Sequence, residues 1–131
     1  MNERILIIED DQAILKILQR GLAYEGYTVD TATEGRSGLM LARDHQPDLV
    51  ILDWMMPRVD GPMLCRRMRE RPETRDLPVV FITAKASPRE LDELRALGAA
   101  GTISKPFSPT DLPDQLRAIW NALPAQRASY S

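Results

Sequence analysis

Cysteine and histidine each occur once in these 131 residues, lysine only three times, and aromatic residues make up 5%. One cysteine forms no internal disulfide, and a Cys–His zinc site is excluded by count. Neither sign of charge dominates. Seventeen Lys+Arg face nineteen Asp+Glu, leaving −2, so the basic footprint of bulk nucleic-acid binding is missing. No apolar stretch approaches the ~20 residues of a membrane span. Met1-Asn2-Glu3-Arg4-Ile5 does not read as a signal peptide, because the apolar run that follows is four residues long and ends in acids. What is present is a 44% hydrophobic chain, enough for a core and against disorder. The length fits one domain of about 100–200 residues. The composition therefore predicts a soluble, cytoplasmic, single-domain protein.

Short unbroken apolar runs recur along the chain, each followed by a helical pattern. Ile5-Leu6-Ile7-Ile8, Leu49-Val50-Ile51-Leu52 and Val79-Val80-Phe81-Ile82 read as strands buried on both faces. Tyr27-Thr28-Val29-Asp30-Thr31 reads as an edge strand and Gly101-Thr102-Ile103-Ser104 as a weaker fifth. Between them come helices with apolar positions at Leu15, Leu18 and Leu22, at Leu39 and Ala42, at Leu64 and Met68, and at Leu91, Leu94 and Leu97. A last helix holds Leu112, Leu116, Ile119 and Leu123. Asp10 or Asp11 can cap the first. Ser87-Pro88-Arg89-Glu90 and Ser108-Pro109-Thr110-Asp111 are capping boxes. Pro113 predicts a late or irregular start to the last helix, since a proline beyond the first turn removes a hydrogen bond. Five strands alternating with five helices predict an α/β, doubly wound (βα)5 domain, a parallel sheet with helices on both faces. Ligands of such sheets bind beyond the carboxyl ends of the strands.

Those ends carry the chemistry. The first strand ends at Glu9-Asp10-Asp11, the third at Asp53, the fourth at Thr83 and the fifth just before Lys105. Two like charges at ~4 Å repel by ~4 kcal/mol at an effective dielectric of about 20, so clustered carboxylates need a cation or a proton. All-oxygen donors without His or Cys suit Mg²⁺. A metal, the Lys105 ammonium and the Thr83 hydroxyl around one carboxylate make a pocket for a phosphoryl group. The carboxylate can itself be the nucleophile and form an aspartyl phosphate.

Four segments in this order, Ile5-Leu6-Ile7-Ile8-Glu9-Asp10-Asp11, Leu52-Asp53-Trp54-Met55-Met56-Pro57-Arg58-Val59-Asp60-Gly61, Phe81-Ile82-Thr83-Ala84-Lys85 and Ser104-Lys105-Pro106-Phe107, resemble those of the bacterial response regulator receiver domain, the phosphoacceptor module of two-component signalling. The resemblance implies a flavodoxin-like fold with a five-stranded sheet in order 2-1-3-4-5, over residues 1–123, and the small, polar segment 124–131 reads as a flexible tail. It implies that Asp53 accepts a phosphoryl group from a sensor histidine kinase or a histidine phosphotransfer protein. Glu9, Asp10, Asp53 and the Met55 backbone carbonyl would hold Mg²⁺, with Asp10 the firmest of the acidic run and Asp11 a helix cap. Lys105 would hold the phosphoryl oxygens, Thr83 would act as a switch, and Lys105–Pro106 would be a cis peptide. Met55 and Lys85 would flank the route of the hydrolytic water, suggesting slow dephosphorylation, and the small Ala84 would leave the site open to small phosphodonors. The implied product is a signalling module, not an enzyme with an external substrate. It would act on a downstream protein, with no nucleic acid or membrane contact of its own, as a monomer or a weak phosphorylation-dependent dimer.

The chain departs from the family pattern at three places. Thr102 stands where receivers carry a switch aromatic, Ala100 and Gly101 where many DNA-binding regulators carry two acids, and Leu91 and Gln115 where those regulators tend to have charged dimer contacts. These departures, and an end at Ser131, favour a stand-alone receiver. The alternative is the N-terminal receiver of a longer DNA-binding transcriptional regulator. A third reading, a Mg²⁺-dependent phosphohydrolase with an aspartyl-phosphate intermediate, needs a general acid two residues after the nucleophile, and Met55 there moves no proton. Outside these motifs the plainer readings prevail. His45 is a surface residue, Cys65 has no redox role, and Arg66, Arg67, Arg69 and Arg71 form a solvated face. Trp54 is a rim or partner contact, and Met55, Met56, Met63 and Met68 serve core or rim packing.

Overall fold

The computed structural model describes residues 3–56, 58–84, 87–105 and 110–121. In chain order they form β1 (Arg4–Ile8), α1 (Gln12–Tyr24), β2 (Thr28–Ala32), α2 (Gly35–His45), β3 (Leu49–Asp53), α3 (Gly61–Arg69), β4 (Val79–Thr83), α4 (Pro88–Ala96), β5 (Gly101–Ser104) and α5 (Leu112–Asn121). All pairings are parallel and the sheet order is β2-β1-β3-β4-β5, the order implied by the resemblance.

Every residue of β3 and β4 is buried, because each face of the sheet has its own helices. Alternate strand residues serve opposite sides. Ile5, Ile7, Leu49, Ile51, Val80 and Ile82 pack with Leu15, Leu18 and Leu22 of α1 and with Leu112 and Leu116 of α5. Leu6, Ile8, Val50, Leu52 and Phe81 pack with Ala42 of α2, Leu64 and Met68 of α3 and Leu94 of α4. Gly38 lets α2 lie directly on β1. A Cβ there would come within 2.5 Å of Ile8 Cδ1, which is fully buried.

The helix starts follow local chemistry. The Asp11 carboxylate accepts from the Ala13 and Ile14 amides at 2.9 and 3.3 Å, so Asp11 caps α1 and leaves Asp10 available. At α4, Ser87 and Glu90 form the reciprocal capping box, with Pro88 in the first turn. Helix α5 does begin late. The Gln115 amide bonds to the Asp111 carbonyl at 3.1 Å, which places Pro113 in the first turn, where no amide is required. The Ser108 capping box, Lys85, Pro106 with its peptide bond to Lys105, and the 124–131 tail lie outside the described residues.

One reading of the basic cluster is corrected by the fold. Arg66, Arg67 and Arg71 are exposed, but Arg69 is half-buried and does not belong to a solvated face. Its guanidinium donates to the carbonyls of Leu97, Arg75, Leu77 and Gly98 at 2.7–3.2 Å, tying the end of α3 to the end of α4. A planar fork of five donors suits four carbonyls in a way lysine does not.

Candidate functional site

The register of the parallel sheet fixes which side chains meet. Ile8 pairs with Leu52, Asp53 with Ile82, and Thr83 with Ser104, so the residues that follow these strands share one edge. Three backbone bonds close the loops over that edge. The Glu9 amide donates to the Ala32 carbonyl at 3.0 Å, the Trp54 amide to the Ile82 carbonyl at 3.0 Å, and the Lys105 amide to the Thr83 carbonyl at 2.8 Å.

Asp53 lies at the centre, 2% exposed. Its Oδ1 accepts from Lys105 Nζ at 3.2 Å and from the Met55 amide at 3.4 Å. Lys105 Nζ also stands 3.4 Å from Glu9 Oε1, so one ammonium bridges two carboxylates. Its own burial works against the charge, but Asp53 and Glu9 outweigh it and hold the ammonium above its ordinary value. Glu9 is wholly buried. Burial is the chief cause lifting its carboxyl from 4.5 to about 8, with Asp53 pushing the same way against the Asp11 amide and Lys105. The Asp11 amide bonds to Glu9 Oε2 at 3.1 Å, while Oε1 has no hydrogen-bond partner among the described residues.

Carboxylate oxygens of Glu9, Asp10 and Asp53 lie within 4.8 Å of one another. Glu9 and Asp53 are buried and Asp10 is exposed. Three hard oxygen donors, one with an unused buried lone pair and one opening to water, fit a partly hydrated divalent cation. Thr83, 6% exposed, ends the strand beside β3. Thr102 is half-buried opposite Phe81. Ala84 is exposed, and Met55 presents a side chain 75% exposed two residues beyond Asp53. Trp54 is half-buried, its ring 6.1 Å from Phe81. Cys65 is buried, and burial pushes its thiol up, away from the reactive thiolate.

Gly61 belongs to the site although the sequence pattern alone gives it no role. A Cβ there would lie 2.5 Å from the Asp53 carbonyl oxygen and 3.1 Å from Trp54 Cα, and its amide bonds to the Trp54 carbonyl at 2.9 Å. Only a residue without a side chain lets α3 start against the backbone of Asp53. The signal was an acid-glycine pair at a helix start, with Asp60 capping α3 through the Met63 amide at 2.9 Å.

The sequence model of the response regulator receiver domain matches residues 5–117. The phosphate regulon transcriptional regulatory protein PhoB of Rhizobium meliloti is 40% identical over 119 residues, covering 91% of this chain and 52% of that protein. Response regulator MprA of Mycolicibacterium vanbaalenii is 40% identical over 119 residues, covering 91% and 51%. The chain thus spans about half the length of these relatives. Among solved structures, the chemotaxis protein CheY4 of Vibrio cholerae superposes with a TM-score of 0.85 at 29% identity, over 91% of this chain and 99% of that one. A CheY-like receiver domain protein of Methanospirillum hungatei superposes at 0.83 and 26% identity, over 100% of both chains.

Proposed function

This chain belongs to the response regulator receiver domain family, and from that membership we propose that Asp53 accepts a phosphoryl group from a phosphohistidine of a sensor kinase or a histidine phosphotransfer protein. The single observation that carries the reading is Lys105 Nζ, 3.2 Å from Asp53 and 3.4 Å from Glu9, within the acidic cluster. An Asp53 carboxylate oxygen forms the new bond to phosphorus as the bond to the leaving imidazole nitrogen breaks. The transition state is loose, so positioning and charge supply most of the catalysis. Lys105 meets the outer phosphoryl oxygens, and the Thr83 hydroxyl donates to one of them. Glu9, Asp10, Asp53 and the Met55 carbonyl would hold Mg²⁺, which neutralises the crowded carboxylates and the incoming phosphoryl charge.

The module acts on itself. It turns over no external substrate, and the aspartyl phosphate is its signal in the cytoplasm. Added phosphoryl charge draws Thr83 inward and alters the face around α4 and β5 that a downstream protein reads. Thr102 replaces an aromatic partner in that switch. Met55 and Lys85 slow the hydrolytic water, and Ala84 leaves room for small phosphodonors. The protein works as a monomer or a weak phosphorylation-dependent dimer. A second reading has one observation in its favour: PhoB of Rhizobium meliloti, 40% identical, is a transcriptional regulatory protein about twice as long. On that reading this chain is the receiver of a longer regulator, and a reading frame running past Ser131 into a DNA-binding segment would establish it.

The test is intact mass after incubation with a small phosphodonor and Mg²⁺. The expected result is one phosphoryl adduct on the native protein, absent in EDTA and absent from Asp53→Asn. An adduct of equal yield on Asp53→Asn would overturn the assignment.

A further inference from the structure

A cavity of about 970 Å³ opens between α2, α3 and the loops that lead into them. Of the phosphoacceptor site, only Asp10 reaches its wall; Asp53, Thr83 and Lys105 do not line it. One side is apolar, built from Leu39, Val59 and the buried Leu64. The other carries four arginines, Arg36, Arg58, Arg67 and Arg71, and among the described residues none of them has an ion-pair partner. Outside the cavity Arg4 pairs with Asp30, Arg66 with Glu93 and Arg117 with Asp114, while Arg20, Arg75 and Arg89 stand singly without an ion pair among the described residues. Although Asp10, Glu34 and Glu70 line the same concavity, none of the four guanidinium groups is spent on an ion pair, so their donors remain open to an anion.

Arg58 adds an independent sign. It sits at φ 72°, in the left-handed region where glycine is at ease and a long side chain is strained. Such strain gathers at ligand clamps, where the surrounding structure holds it.

We propose that this cavity binds an organic phosphate monoester, with its phosphoryl group on the arginines and its carbon body against Leu39, Val59 and Leu64. Guanidinium forks match phosphoryl oxygens bidentately, and the apolar wall gives the site something inorganic phosphate cannot use. Glu34 and Glu70 also line the cavity and set the charge limit. With Asp10 they leave one net positive charge, less than one phosphoryl group carries, so each further phosphoryl group of a polyphosphate adds uncompensated negative charge.

The experiment is a titration of the ¹⁵N-labelled chain with phenyl phosphate in EDTA, followed by backbone amide shifts. Inorganic phosphate and benzyl alcohol are titrated in parallel. The expected result is saturable shifts at Arg36, Leu39, Arg58 and Arg67, with Asp53, Thr83 and Lys105 unmoved and phenyl phosphate binding more tightly than either fragment. Arg58→Gly keeps the backbone turn without strain, so it folds and should weaken binding about ten- to hundredfold, the loss of a charge-assisted hydrogen bond. Arg67→Gln should weaken it comparably, and Arg20→Gln, on α1, should not change it. Absence of saturable shifts, shifts centred on Asp53 and Lys105, equal affinity for inorganic phosphate, or unchanged binding by Arg58→Gly would each overturn the proposal.

Discussion

Glu9 makes the stability of the metal-free protein depend on pH in an unusual direction. In the unfolded chain its carboxyl titrates near the ordinary 4.5; in the fold, burial moves this to about 8. Between those values the folded state keeps a proton that the unfolded state has released. Stability therefore falls as pH rises through the window, the reverse of a salt-bridged aspartate. At 1.36 kcal/mol per pH unit the full shift corresponds to roughly 5 kcal/mol, a ceiling because the neighbouring charges of Asp53 and Lys105 act on Glu9 in both of its states. A loss of about 2–4 kcal/mol between about pH 5 and about pH 8 is expected, a large share of the ~5–15 kcal/mol typical of a domain. Urea denaturation in EDTA measures it, with Glu9→Gln as the control. The amide cannot titrate, so the difference between the two profiles reports Glu9 together with its coupling to Lys105 and cancels the groups far from it. Added Mg²⁺ should restore more stability at about pH 8 than at about pH 5, because metal and proton compete for the same oxygens. Parallel profiles for the two proteins would refute the argument.

Four further outcomes are expected. Gly61→Ala places a methyl 2.5 Å from the Asp53 carbonyl, which cannot move without shifting the acceptor. Overpacking of about 1–3 kcal/mol exceeds the small helix gain at this terminal position, so equilibrium denaturation should show a net loss and phosphodonor labelling should slow. Asp11→Ala removes the cap of α1 and should cost about 1 kcal/mol in urea without abolishing the phosphoryl adduct. Arg69→Met leaves four carbonyls short of a donor and should cost about 2–4 kcal/mol, with faster amide exchange at Gly98 and Ala99. Met55→Asn sets a polar amide beside Asp53 and should shorten the lifetime of the aspartyl phosphate; equal decay in the two proteins would count against a shielding role for Met55.

The alternation of apolar runs and helical periods makes the parallel sheet legible in the sequence, because strands covered on both faces must be apolar at consecutive positions. The capping chemistry of Asp11, Ser87 and Glu90 is local and was legible for the same reason: cap and helix lie within a few residues. The same holds for the late start of α5 at Pro113. The acids, Thr83 and Lys105 stood at strand ends in the sequence, and parallel order alone brings such ends to one edge.

What lay outside the reach of sequence depends on segments far apart. No local pattern marks Arg69 as the donor to Leu97 and Gly98, since those carbonyls arrive with α4. His45 looked solitary, yet its Nδ1 lies 3.0 Å from Asp30 because β2 and the end of α2 meet at the opposite edge of the sheet. Glu9 and Asp10 are neighbours in sequence and both acids. Only the fold buries Glu9 beside Asp53 and leaves Asp10 exposed, and that burial is what lifts the Glu9 carboxyl. Periodicity and capping are short-range properties of a chain and are written in residue order. Desolvation, charge pairing and steric limits at a glycine are set by the atoms that packing brings near, so they exist only once the sheet has closed.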